Sequence, residues 1–597
     1  MKQTLRLLAY GLAASLCSPL LAAPTPHKPA PASEQKASPK SAQKLAAAER
    51  EESASAQLDA ELFYELLLGE MYAYRGEAAP SVELLLDAAR RSGDAKVYQR
   101  AAQVALLSRS AEQATMVARA WKDAHPQSSQ ANRFLLQVLL ATNQGEATRA
   151  LLKQEIANAP AAEKREFIQA LPRIYSRLGN RALAASIVRD ALAPELENLA
   201  TGGDAWVAIG RVELAAGEKL PALESTRRAM AIDANNEGAA RLAADLVNEG
   251  VSEAEPLVKA YLDKSSSADA HLAYARSLMG AQRFDEALQQ TRRATELDAD
   301  SPDAWMLKAI IEAQTRQYAE ADVSLLKLDT LTPKLPSSVL QREVRIQSLM
   351  LREQMAEAQQ KWAEAEQWAR QIGEAGNQPL STLRLASIRM QQGRFDDAEA
   401  LLDKLPQDTQ ADQRTKLAAQ VQLQKTAKNY TKALALQAKL VQLSPNDNDA
   451  LYEQAMLAER LNDIDQMEFL LRRIIARKND YYHAYNALGY SLADRGLKLD
   501  EAKTLIETAL KMSPGDPMIT DSLGWVEYKL GNHERAAQLL EEAYTKMNDP
   551  EIGAHLAQVW WTQGKKQAAE SLLRTVLKDA PDNEALLKTF QQLGLKP

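Results

Sequence analysis

The sequence predicts an all-α solenoid of about fifteen stacked helix-turn-helix units, and three observations carry that expectation. Small residues recur at a period of about 34, glycine falls at the turn within a unit, and proline falls where a unit ends. The stretch from His483 to Pro550 shows all three in two copies set back to back. In the first copy Tyr485, Leu488 and Gly489 lie on one helix, Ala502 and Ala509 on a second, and Pro514 closes the unit. In the second, Leu523 and Gly524 answer Leu488 and Gly489, Gly531 makes the turn, Ala536 and Ala543 repeat the alanines, and a new unit opens after Pro550. Alanines seven apart share one helical face two turns apart, and their small side chains let a neighbouring helix come close. Glycine tolerates the left-handed backbone that ends a helix, while proline lacks the N–H that would continue one.

Residues 1–23 read as an export signal. Lys2 and Arg6 supply the positive start, Leu7 to Leu16 the apolar core, and Leu20 to Ala23 a cleavage region. That apolar run is too short to span a membrane. Cys17 is the only cysteine, so no disulfide can form within the chain. Its place at the end of the apolar run makes it a lipidation candidate, although Leu16 departs from the small residue that lipoprotein signals carry there. Cleavage near Ala22 or Ala23, discarding the cysteine, stays open beside it. Residues 24–57 are rich in Pro, Ala, Ser and Lys and offer little to bury, which predicts a disordered tether.

Repeats begin at residue 58 and form an N-terminal array to 333. Gly69, Tyr72 and Gly76 lead to Leu85 and Ala88, and Tyr98, Ala102, Ala114 and Ala118 end at Pro126. A weaker unit ends at Pro160, followed by Gly179 with Ala184 and Ala191, then Trp206, Gly210, Gly217, Ala222 and Ala229. After a degenerate unit around Ala254 come Phe284, Ala287 and Ala294, then Trp305, Ala309, Tyr318 and Ala321. The small residue near the start of each second helix is read as Ala287, Ala321, Ala358, Ala398, Ala433, Met467, Ala502, Ala536 and Ala569. Longer steps near Ala358 and Ala398 mark an irregular repeat or joint at 334–380, and Pro194 to Asp204 reads as a long loop. A C-terminal array follows at 381–582, and 583–597 form a capping helix and tail.

Composition narrows the function. Acidic residues number 79 against 72 basic ones, interspersed for a net charge of -7, so no nucleic-acid surface is marked. The histidines are scattered, without the i, i+4 pair of a zinc helix, and His125 and His533 read as solvated loop residues. No nucleophile elbow, P-loop or dinucleotide fingerprint occurs, and Asp447 to Asp449 lacks the glycine and glutamate of a calcium loop. The chain is therefore expected to be non-catalytic, with no cofactor and no metal.

The alanine pairs, turn glycines and terminal prolines resemble the tetratricopeptide repeat family. The resemblance implies a right-handed superhelical solenoid whose first helices line a concave, peptide-binding groove. Carried onto this sequence, the family's inward-facing positions are His483, Asn486, Tyr490 and Asp494, then Asp521, Trp525, Tyr528 and Lys529, with Gln558 and Trp561 in the next unit. Tyr490, Trp525 and Trp561 then form an aromatic strip of one ring per repeat, as binding hot spots favour. Trp206 and Trp305 fall on the family's buried packing position.

The whole layout, with the run Asp516 to Trp525, resembles the large repeat lipoproteins of proteobacteria and, within them, the partners of carboxy-terminal processing proteases. That resemblance implies a periplasmic adaptor on the outer membrane that binds and activates a serine protease and brings it substrates such as peptidoglycan cross-link hydrolases. A membrane would be touched only through the N-terminal lipid. Soluble periplasmic residence, a scaffold for outer-membrane or exopolysaccharide export assembly, and an enzyme in its own right are the competing expectations.

Overall fold

The computed structural model describes residues 60–108 and 110–597, so the export signal, the tether and Cys17 lie outside the described residues. Every regular element described is helical, and thirty-one α-helices follow one another, most of them packed as consecutive pairs, with the single helix Glu584–Gln592 last. No helix among the described residues is long and apolar enough to cross a membrane. Contacts divide the chain into two compact units, Met1–Leu351 and Arg352–Pro597, with the boundary inside the long helix Ser338–Ala358.

Local chemistry sets each pair. First helices begin at side-chain caps: Ser128, Ser267, Ser301, Asp447, Asp516 and Asp549 each accept from a backbone N–H of the following turn. The break to the second helix passes through a left-handed residue, glycine at Gly76, Gly217, Gly531 and Gly564 but Gln282, Arg316, Lys428 and Asn462 elsewhere. Second helices then bury their small residues: Ala287, Ala294, Ala502, Ala509, Ala536 and Ala543 are all 0% exposed. Where they touch the first helix there is no room for a side chain. A Cβ on Gly489 would stand 2.8 Å from the Ala502 carbonyl, and one on Gly524 would stand 2.7 Å from Leu540 Cγ.

Leu488, Leu492, Ile506 and Val526 belong to one buried cluster that runs from Val441 to Leu539, each buried side chain stabilising by about 1.5–3 kcal/mol. The single helix Glu584–Gln592, capped by Asn583, covers the final pair with buried Leu586 and Phe590.

The structure corrects four local expectations. The buried small residue of the irregular repeat is Ala365, on Trp362–Glu374, because Ala358 ends the preceding first helix. The added length therefore falls in one step of the array, where the first helix is 21 residues long. Pro194 to Asp204 is no continuous loop: a short 3-10 turn spans Ala193–Glu195 and the next helix starts at Gly202. Trp206 and Trp305 are half-buried, each with a cation over its ring, Arg228 at 5.1 Å and Lys308 at 5.3 Å. His125 and His533 are half-buried helix-terminal residues whose rings meet Tyr98 and Tyr528.

Candidate functional site

The residues carried over from the family all lie on three first helices of the second unit: Tyr482–Asp494, Pro517–Lys529 and Pro550–Thr562. Equivalent residues on successive first helices are about one repeat apart, so side chains separated by 34 or 35 positions meet. Trp525, expected on an open groove, is 4% exposed. Its Nε1–H donates to Asp494 Oδ1 at 3.1 Å, and its ring stacks on His555 with centroids 4.2 Å apart and planes 21° from parallel. Lys529 lies over the indole ring at 4.8 Å while its ammonium donates to the Asp494 carbonyl at 3.0 Å. The indole is thus held between repeats, not offered to solvent.

His555 is the centre of the arrangement. It is 8% exposed, and its Nδ1–H donates to Asp521, 2.9 Å from Oδ1 and 3.1 Å from Oδ2. Its Nε2 faces the Tyr490 hydroxyl at 3.4 Å, so one imidazole joins three repeats. Burial disfavours the imidazolium, but the Asp521 carboxylate, aided by Glu551 and Asp494, outweighs it and raises the pKa above the usual histidine value. Tyr490 is half-buried, and burial, with Asp494 and Asp521 nearby, holds its hydroxyl protonated far above the ordinary phenol range. Asp521 is 4% exposed, so it too belongs to the interface between helices.

The remaining expected residues divide. Tyr528 stacks on Trp525 at 5.1 Å, its hydroxyl 3.1 Å from Thr562 Oγ1. Gln558 donates to Thr589 Oγ1 at 2.8 Å, and Trp561 is half-buried beneath Lys566. His483 alone is exposed, its ring 4.0 Å from that of Tyr482, while Asn486 is half-buried on the same helix. An open aromatic strip of Tyr490, Trp525 and Trp561 is therefore not what these helices present. Sequence reasoning passed over His555 by asking only for metal spacing, yet 555 is one period beyond Asp521, and that register was the available signal.

The geometry of repeated pairs agrees with what family comparison finds. Tetratricopeptide repeat models match residues 251–311, 379–404, 486–552 and 527–593. Over those residues the chain is similar to tetratricopeptide repeats. A TPR repeat-containing protein of Pseudomonas aeruginosa is 37% identical over 206 residues, a match spanning 34% of this chain and 35% of the relative. Among solved structures, a thermophilic TPR protein of Thermus thermophilus is similar at 21% identity, covering 30% of this chain and 98% of its own, with a TM-score of 0.28. A TPR protein of Parabacteroides merdae is similar at 16% identity, covering 42% and 99%, with a TM-score of 0.35. Tetratricopeptide repeats indicate a protein-interaction scaffold.

Proposed function

We propose that this chain is a non-catalytic periplasmic adaptor that binds and activates a carboxy-terminal processing serine protease and presents to it substrates such as peptidoglycan cross-link hydrolases. The observation that carries the reading is the repeat array, in which the first helices Tyr482–Asp494, Pro517–Lys529 and Pro550–Thr562 set side chains one repeat apart against one another. Such an array suits holding extended segments of two proteins at once, which raises the effective concentration of one for the other. The resemblance to repeat lipoproteins supports the same reading, and an N-terminal lipid on Cys17 would tether the array to the outer membrane. Catalytic groups belong to the partner protease.

Affinity capture of the tagged mature chain from a periplasm-containing lysate, with a proteolysis assay on what binds, tests the proposal. A processing protease that cleaves a co-captured hydrolase faster in the presence of this chain is the expected result. Recovery of polymer-export or outer-membrane assembly proteins with no protease would replace the adaptor by a scaffold.

A further inference from the structure

The helix Ala60–Tyr74 is packed on one side and open on the other. Leu62 is buried, and Gly69 lies so close to the second helix Ala78–Ser92 that a Cβ on it would stand 2.8 Å from Leu85 Cγ. Glu70 closes the neighbouring edge, its carboxylate accepting from Arg100 at 2.6 and 2.7 Å. Later first helices are also met by the second helix of the preceding pair, as Pro550–Thr562 is by His533–Lys546. No such helix precedes Ala60 among the described residues, and the face left open is apolar. Phe63, Tyr64, Leu67, Met71 and Tyr74 are between 42% and 94% exposed, and at 3.6 residues a turn they fall within about 100° of one another. Repeat arrays stay soluble by ending on a polar outer face, whereas a contiguous apolar stripe marks an interaction surface.

The pattern of the stripe selects its occupant. Tyr64, Leu67, Met71 and Tyr74 alternate steps of three and four, the a and d positions of a coiled-coil seam. Turned antiparallel about a two-fold axis level with Gly69, this seam meets itself in matched layers, Leu67 against Met71 of a second copy and Tyr64 against Tyr74. Glu61 and Arg75 share one flank of the seam, from opposite ends, so the same operation brings Arg75 of each copy to Glu61 of the other. Both are available: Arg75 is exposed and unpaired among the described residues, and exposed Glu61 accepts from Arg91 through Oε2 alone. A parallel pairing would instead set Arg75 against Glu70, which Arg100 already holds. Taking ~200 Å² for a large side chain, the exposed parts of the five residues come to about 600 Å² a copy and roughly 1,200 Å² a pair, where specific interfaces begin. Residues 24–59 hold only Leu45 and Leu58 as large apolar side chains, too few to cover the stripe from within the chain. Glu61, Glu65 and Glu70 border it, which disfavours an anionic lipid surface.

We propose that Ala60–Tyr74 is a self-association helix through which two copies of this chain pair antiparallel, with Leu67 and Met71 at the centre and two Glu61–Arg75 ion pairs at the rim. The pairing goes beyond the adaptor reading and holds whatever the array binds.

Sedimentation equilibrium of residues 24–597 tests it over about 1–100 μM, the range suited to an interface at the small end of the specific class. The wild type should reach a dimer, and Leu67→Glu should stay monomeric throughout. Leu326→Glu, at another exposed apolar residue on the second helix Tyr318–Leu331, should dimerise like the wild type. Glu61→Lys and Arg75→Glu should each weaken the dimer about tenfold, because each sets like charges together at both rims. Mixed in equal amounts, the two variants should recover the wild-type affinity, since a mixed pair restores opposite charges at both rims. A wild type that stays monomeric overturns the proposal. Leu67→Glu then names the true occupant: a lowered melting temperature means a cover from within the chain, lost flotation with phosphatidylethanolamine vesicles a lipid surface, and lost capture of a lysate protein a foreign partner. A mixture no tighter than either variant alone overturns the pairing as well.

Discussion

Trp525 is held by a hydrogen bond from its indole N–H, a stacked imidazole and a lysine over its ring, all contributed by or bonded to neighbouring repeats. Truncating it would open a cavity and remove the indole N–H from Asp494, so Trp525→Ala should destabilise the second unit by about 3–5 kcal/mol in urea unfolding. A variant that melted like the wild type would return the ring to an open groove. The His555–Asp521 pair adds a pH dependence. Because the folded pKa of His555 is raised, its stabilising contribution is complete below about 6.5, the value of an unperturbed histidine, and fades as pH climbs through the folded value. Unfolding free energy of the wild type should thus fall between mildly acidic and mildly alkaline buffer, and His555→Gln should flatten that slope. An unchanged slope would mean that other groups set it. At this scale the sequence was legible in position but not in use: it placed these residues on first helices, and it could not say that the rings had partners one repeat away.

Between helices of a pair, the chain repeatedly enters the left-handed region, and the array uses glycine for only some of those turns. Arg316 takes φ 61°, where its Cβ crowds the backbone at a cost of about 1–2 kcal/mol that glycine avoids. Glycine also gains freedom in the unfolded chain, so Arg316→Gly should stabilise by a net amount of about 0.5–1 kcal/mol, read as a raised melting temperature. A drop would show that the arginine side chain contributes contacts that outweigh the strain. The element most easily misread was the irregular repeat. Ala358 and Ala365 are seven apart and so share helical phase, which makes either fit the pattern. Only the break after Ala358 shows that the first helix runs long and that Ala365 carries the packing.

Stacked units stabilise one another through nearest-neighbour interfaces, and the last of these needs a cover. Leu586 and Phe590 of the single C-terminal helix bury themselves against Leu573 and Val576, and Glu584 pairs back to Arg460, 124 residues earlier. Deleting residues 583–597 should cost the final pairs about 3–5 kcal/mol of buried apolar contact. Hydrogen exchange should then accelerate across 550–579 and leave 60–331 unchanged; uniform acceleration would mean that the array does not unfold by neighbours. What the sequence determined by itself is everything set within a helix pair, since period, caps, turn residues and small packing positions act over a few residues. Tertiary structure alone decided which side chains stay open. The partner of each lies thirty or more residues away, and whether a tryptophan faces solvent or an imidazole depends on how closely two repeats approach, a distance that glycine and alanine elsewhere in the stack control.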